Sequence, residues 1–152
     1  KDWCLLAAGD YPTRKFNAMT IAWGSLGTMW RRPMIMVVVR PTRHTFRFME
    51  DYPTFTVSSF PVTCRASMEY IGAHSGKTED KISNAKLTTE ASRTVEAPSF
   101  VEASLVLECR KMYYHDFDPA LFKAPFIAEL YNKDYHRMYF GEVVDATASS
   151  EF

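Results

Sequence analysis

The stretch that most constrains this chain is NAMTIAWGSLGTMWRRPMIMVVVRPTRHT, residues 17–45. Met34–Val39 is an unbroken apolar run ending in three valines. β-Branched residues are stiff at χ1 and pack well on a pleated surface, so the run predicts a strand buried on both faces. Pro41 stops that strand, and the next residues deliver Thr42, Arg43, His44 and Thr45 directly after Arg40. Upstream, Phe16–Trp23 alternates imperfectly and predicts a second strand. Gly24 and Gly27 predict a loop that ends at Pro33.

The same reading extends along the chain. Trp3–Ala8 reads as a buried strand ended by Gly9-Asp10, and Tyr11–Lys15 as a turn that brings 16–23 back antiparallel. Thr42 is positioned to cap a helix over 43–51, with Pro53 after it. Thr54–Ser59 alternates as a strand. Pro61 predicts a helix over 62–71 with Gly72 as its stop, and Glu79–Lys86 a short polar helix. Phe100–Tyr114 is a long strand candidate. Residues 116–125 read as a loop, 126–131 as one or two helical turns, and 136–145 as the last strand. Strands outnumber helices, so the expected class is mainly β: a β-barrel with flanking helices.

The length of 152 residues suits a single domain over 1–152 with one core, and 47% hydrophobic content is enough to fill it. Eleven Phe, eight Tyr and three Trp fit a β-rich core of large side chains, or a planar ligand that stacks on rings. A formal net charge of zero argues against a nucleic-acid partner. No run is long enough for a membrane span, and no signal-peptide pattern opens the chain. Cys4, Cys64 and Cys109 form no C-x-x-C pair and have no histidine at zinc-finger spacing. They read as free thiols of a reducing cytoplasm. The chain opens at Lys1 without Met, so residues are expected before it.

The chemistry concentrates in three places. Arg40, Arg43 and Thr45 combine planar forks and a short donor at a strand-to-helix junction, where a first helical turn adds N–H groups and a favourable dipole. That is a phosphate site, or else a solvated, capped loop. His44 within it reads as a surface or packing histidine. No nucleophile motif and no proton-sharing carboxylate pair accompanies it. On the strand 17–23, Asn17, Met19, Ile21 and Trp23 share one face and Ala18, Thr20 and Ala22 the other. A flat ring can lie against that small-residue face, with main-chain groups meeting its polar edge and Trp23 as a wall. The third place is His74-Ser75-Gly76-Lys77 with Lys81, a weak anion nest that lacks P-loop or Rossmann spacing. A phosphorylated flat aromatic ligand follows, and flavin mononucleotide (FMN) is the natural candidate. Residues 134–139 are read as an edge or dimer strand, or as a ligand contact.

Taken in order, NAMTIAWG, the G-x-x-W-x-x-P connection, VRPTRHTF, FTVSSF, HSGKTEDK, LECRKMYY and DYHRMYFGEVV resemble the flavin reductase-like proteins of the flavoredoxin type, over about Trp3–Ala146. The resemblance implies an FMN-binding split β-barrel, a homodimer, and two-electron transfer between NAD(P)H or a protein donor and flavin, an oxidoreductase activity. It implies that Asn17, Met19, Thr20, Ala22 and Trp23 line the flavin ring, and that Arg40, Arg43 and Thr45 hold the phosphate with Lys81 joining from Ser75-Gly76. It places Ser58 and Ser59 near the ribityl chain and brings His136 to the flavin from this subunit or the other. No catalytic acid or base and no metal site is implied. Ala22 departs from the Ser that many relatives carry there, which removes a hydroxyl donor and alters the tuning of the ring. The alternatives are a non-catalytic FMN store and a different split-barrel chemistry, pyridoxamine-phosphate oxidation or haem handling.

Overall fold

The computed structural model describes residues 3–149. Residues 1–2 and 150–152 of the expected domain lie outside the described residues. Strands β1 (Cys4–Asp10) and β2 (Lys15–Ile21) form a hairpin, followed by β3 (Gly24–Met29) and β4 (Arg32–Val39) as a second. Helix α1 (His44–Asp51) leads to β5 (Thr54–Ser59), and helices α2 (Arg65–Ala73) and α3 (Lys81–Asn84) follow it. The short strands β6 (Thr89–Glu90) and β7 (Ser99–Phe100) pair with each other, and the long strands β8 (Leu105–Asp116) and β9 (Arg137–Ala148) end the fold.

One seven-stranded antiparallel sheet has the order β2-β1-β5-β8-β9-β4-β3. Its two edges, β2 and β3, are neighbours in the chain, with only Ala22 and Trp23 between Ile21 and Gly24. Three Cα steps reach at most about 11 Å. The edges must therefore meet at that end, and the sheet rolls into a barrel. No ladder joins β2 to β3 among the described residues, so the barrel stays split there. Mainly β with flanking helices, a split barrel, is the class expected from the sequence.

The alternation of β1 shows why its apolar run is continuous. Leu6 and Ala8 point into the barrel with Ile35, Val37, Val39, Phe55, Val57 and Tyr139, and Met49 of α1 joins them. Leu5 and Ala7 point outward and are covered by Met68 and Ile71 of α2, Ile82 of α3, Leu87 and Phe100. Each fully buried side chain of this size contributes about 1.5–3 kcal/mol. Both faces of β1 are thus dry, and β4 is buried in the same way from Met34 to Val39, apart from the partly covered Met36.

Several elements differ from the sequence reading. The expected loop 24–33 is the hairpin β3–β4, turned by Trp30 and Arg31 at φ 52° and 61°. Left-handed turns of this kind ordinarily use Asn or Gly, and every residue of β3 is exposed, so neither turn chemistry nor burial marks it in the sequence. Thr42 does not cap α1. The N-cap is Arg43, with no side-chain cap bond. Gly72 does not stop its helix but lies inside α2, which opens as a 3₁₀ turn at Val62–Cys64. The long strand expected from Phe100 is broken between β7 and β8, where Ala103 N–H closes a turn onto Phe100 O. Residues 137–139 are no edge. They lie in β9, between β8 and β4 in the middle of the sheet.

Candidate cofactor cleft

Strand β2 has β1 on one side and no strand on the other. An edge strand leaves alternate N–H and C=O groups unpaired. Along this edge runs a cleft in two joined lobes that share Met19, Thr20 and Arg43.

The first lobe, about 230 Å³, lies between β2, the start of α1 and the end of α2. Asn17 Nδ2 donates to Thr45 Oγ1 at 2.8 Å, and both side chains are buried. Because that hydroxyl accepts from Asn17, its own proton remains to be donated. Lys81 is buried, and its ammonium donates to Ile71 O at 3.2 Å and His74 O at 3.1 Å. An ammonium has three N–H donors, so one remains. Burial, with Arg43 nearby and only Glu79 opposing, lowers the Lys81 pKa to about 8. His44 lines the same lobe, and its pKa is lowered by burial and then by Lys77, Lys81 and Arg47. The lining contains Arg43, His44, His74 and Lys81 and no carboxylate. A buried cation held only by carbonyls, beside further cations and the first turn of α1, is a site built for an anion.

The second lobe, about 180 Å³, sits at the split itself and adds Ile21, Ala22, Trp23, Val38, Arg40 and His136. Trp23 is 45% exposed, and its ring lies 5.1 Å from that of His136. Tyr131 Oη and His136 Nδ1 are 2.8 Å apart. Burial, reinforced by Arg40, pushes the His136 pKa down to about 4, so the imidazole is neutral at pH 7. Arg40 is already engaged: it donates to Asp134 at 2.7 Å and Leu130 O at 2.8 Å, with its guanidinium 5.0 Å from the Tyr131 ring. Arg43, by contrast, has no ion pair among the described residues.

The cleft therefore gathers Asn17, Met19, Thr20, Ala22, Trp23, Arg40, Arg43, Thr45, Ser75, Lys81 and His136. Arg40 falls in the ring lobe rather than with Arg43 and Thr45, and His136 arrives from its own chain. Gly76 lies just beside the cleft, packed so closely that an added Cβ would stand 2.1 Å from Asn17 Oδ1. Ser58 and Ser59 line neither lobe. Ser58 is buried on β5, two strands from β2, and Ser59 Oγ sits 3.4 Å from Ser104 Oγ. Ala18, placed by the sequence on an open small-residue face, is fully buried under α2. Thr42, His44, Gly72, His74 and Tyr131 were not picked out as site residues. The histidines carry no motif, and Gly72 reads as a helix stop.

Gly72 has a specific role at this edge. A Cβ there would come within 2.8 Å of Thr20 Oγ1, so the glycine lets α2 approach β2 where the lobes join. Gly72→Ala is expected to displace Thr20 and weaken flavin binding about threefold to tenfold. Its exposed helical backbone gains about 0.5–1 kcal/mol from the same change. Titration and thermal melting of one sample check both signs.

The sequence matches the family described as Flavin reductase like domain over residues 4–151. The chain belongs to this family. Solved structures agree on the fold. Flavoredoxin of Methanosarcina acetivorans superposes with a TM-score of 0.78 at 22% identity, covering 99% of this chain and 70% of that one. Flavoredoxin of Desulfovibrio vulgaris gives 0.75 at 23% identity with the same coverage. An NADH:FAD oxidoreductase of Streptomyces globisporus gives 0.74 at 17% identity, covering 99% and 76%. No curated protein matches the sequence. Among the described residues no helix is long and apolar enough to cross a membrane, and no group of His, Cys, Asp or Glu is arranged to hold a metal.

Proposed function

We propose that this flavin reductase-like chain acts as one domain that binds FMN in the split and exchanges two electrons with NAD(P)H or a protein partner. The observation that carries this reading is the buried Lys81 ammonium beside Arg43, in a carboxylate-free lobe continuous with the lobe at Trp23 and His136. Bound FMN supplies the two-electron chemistry. The chain's own residues do the rest. Lys81, Arg43 and Thr45 hold the phosphate, and Asn17 orients Thr45. The free edge of β2 offers main-chain groups to the ring, with Ala22 supplying no hydroxyl. Trp23 walls the ring, and neutral His136 packs behind it without adding charge.

The lobes fit the two ends of such a ligand: cationic donors at one, an aromatic wall and an unpaired strand edge at the other. The visible spectrum and mass of protein purified with its native ligand test the reading. Flavin bands support it, and a Soret band or no chromophore overturns it. NAD(P)H oxidation at saturating FMN separates turnover from storage.

The Lys81 pKa gives a pH signature. A phosphate monoester is largely dianionic above pH 7, its second pKa being about 6. The ligand's charge is thus constant where Lys81 titrates. FMN affinity is expected to be full below pH 8 and to fall by up to about tenfold per pH unit above it, until the pKa of the FMN-bound lysine is reached. Binding at pH 8.5–9 should take up a proton, measurable from the buffer dependence of the calorimetric enthalpy. Riboflavin affinity should stay flat.

A homodimer is supported by the exposed edge strand β3. Leu26, Met29 and Trp30 are open there, and Trp30 clusters with Tyr113 and Phe140. A long exposed edge with apolar side chains calls for a cover, and a second copy supplies one. Three thiols with no disulfide fit a reducing compartment such as the cytoplasm.

A further inference from the structure

FMN would leave unfilled a third cleft that opens from the phosphate lobe. It measures about 580 Å³, against about 230 and 180 Å³ for the other two lobes. Pockets that hold small molecules run from about 300 to 1,000 Å³. The third cleft shares Asn17 and Lys81 with the phosphate lobe and no residue with the ring lobe. A ligand seated there reaches the flavin only through its phosphate end.

The lining has a matching chemistry. Arg14 and Lys77 stand in it, and neither has an ion pair among the described residues. Its carboxylates are already occupied. Glu79 accepts from Tyr70 Oη and Asn84 Nδ2, each at 2.7 Å, and Asp80 accepts from Ser83 Oγ at 2.8 Å. The uncompensated charge is therefore positive. The Arg14 guanidinium lies 5.3 Å from the ring centres of both Tyr11 and Phe16, which holds a flat cation over an aromatic pair. Planar guanidinium groups stack well on flat π systems. Ile82 and Leu87 add a buried apolar floor, and the Thr78 and Thr89 hydroxyls line the walls.

We propose that this cleft receives the adenosine monophosphate half of flavin adenine dinucleotide, so that the chain takes FAD as well as FMN. The inference rests on the flavin reading above. The first phosphate stays with Lys81, Arg43 and Thr45. The second meets Lys77, and the adenine stacks beside Arg14.

The test is titration of the apoprotein with FMN and with FAD, followed by flavin fluorescence, in the wild type and in Arg14→Gly/Lys77→Ala. Glycine suits position 14, where φ is 58°, so the turn is kept. The wild type should bind FAD at least as tightly as FMN. The double variant should lose tenfold or more in FAD affinity and stay within threefold for FMN. The proposal is overturned if wild-type protein prefers FMN by tenfold or more, or if the variant weakens both flavins equally or neither. It is also overturned if the variant instead weakens NADH at unchanged FAD affinity, which would assign the cleft to the nicotinamide nucleotide. Binding of FMN with exclusion of FAD sinks this inference alone, whereas failure to bind either flavin sinks the flavin reading itself.

Discussion

Lys81→Met is expected to weaken FMN binding by about 10- to 100-fold and to leave riboflavin within about threefold. Methionine keeps the length and the apolar stem but removes the charge and all three donors. A charge-assisted hydrogen bond contributes about 1.5–3 kcal/mol, which sets that range. The effect exceeds what a surface lysine would give because Lys81 is buried, where the phosphate charge is poorly screened. The substitution should also abolish the fall in FMN affinity above pH 8, since the group that titrates there is gone. Isothermal titration with both ligands at pH 7 and pH 9 decides the matter. Equal losses for FMN and riboflavin, or a pH dependence that survives the substitution, would remove Lys81 from the phosphate site.

Gly9→Ala carries the largest expected cost to stability. Gly9 has φ 129°, a conformation that side chains of L-residues rarely adopt, and a Cβ there would stand 2.2 Å from Lys15 O and 2.5 Å from Phe16 Cα. Backbone strain of this kind costs about 1–3 kcal/mol and forced overpacking about 1–3 more. A total near 3–5 kcal/mol is a large share of the roughly 5–15 kcal/mol that holds a domain of this size together. At about 2–4 °C per kcal/mol, the melting temperature should fall by about 6–15 °C. The damage falls on function as well. Gly9 pairs with Phe16, and the same ladder sets Asn17, Met19 and Thr20 along the cleft. Calorimetry with and without FMN measures both parts. A melting temperature within about 2 °C of wild type would show that the β1–β2 hairpin relaxes around the new methyl.

What could be read from the chain in advance follows physical lines. The apolar runs of β1 and β4 were clear because a strand buried on both faces has no room for polar residues. The basic cluster after Pro41 was clear because phosphate chemistry needs those residue types close together. Lys81 was reachable only by resemblance. Its burial depends on α2 and α3 folding over it, and nothing in the local sequence KISN separates it from a surface lysine. β3 was missed because its residues are all exposed and its turn uses Trp30 and Arg31 in a conformation they seldom take. Gly72 was misread because a glycine that ends a helix and one that admits a neighbouring strand look alike in one dimension.

By itself the sequence determined the class of fold, the family, and the residue types gathered around Arg43 and Trp23, since hydrophobic period and local chemistry are written along the chain. Only the tertiary structure decided which arginine is open to a ligand. Arg40 is tied to Asp134, some 90 residues away in the chain, while Arg43 has no such partner. It also decided that Ala22 and Trp23 bridge the two edges of one sheet. That follows from strand order, a long-range property that spacing within a segment does not encode. The cleft exists because a two-residue link forces the edges of a seven-stranded sheet together at one end and leaves them unpaired along the rest.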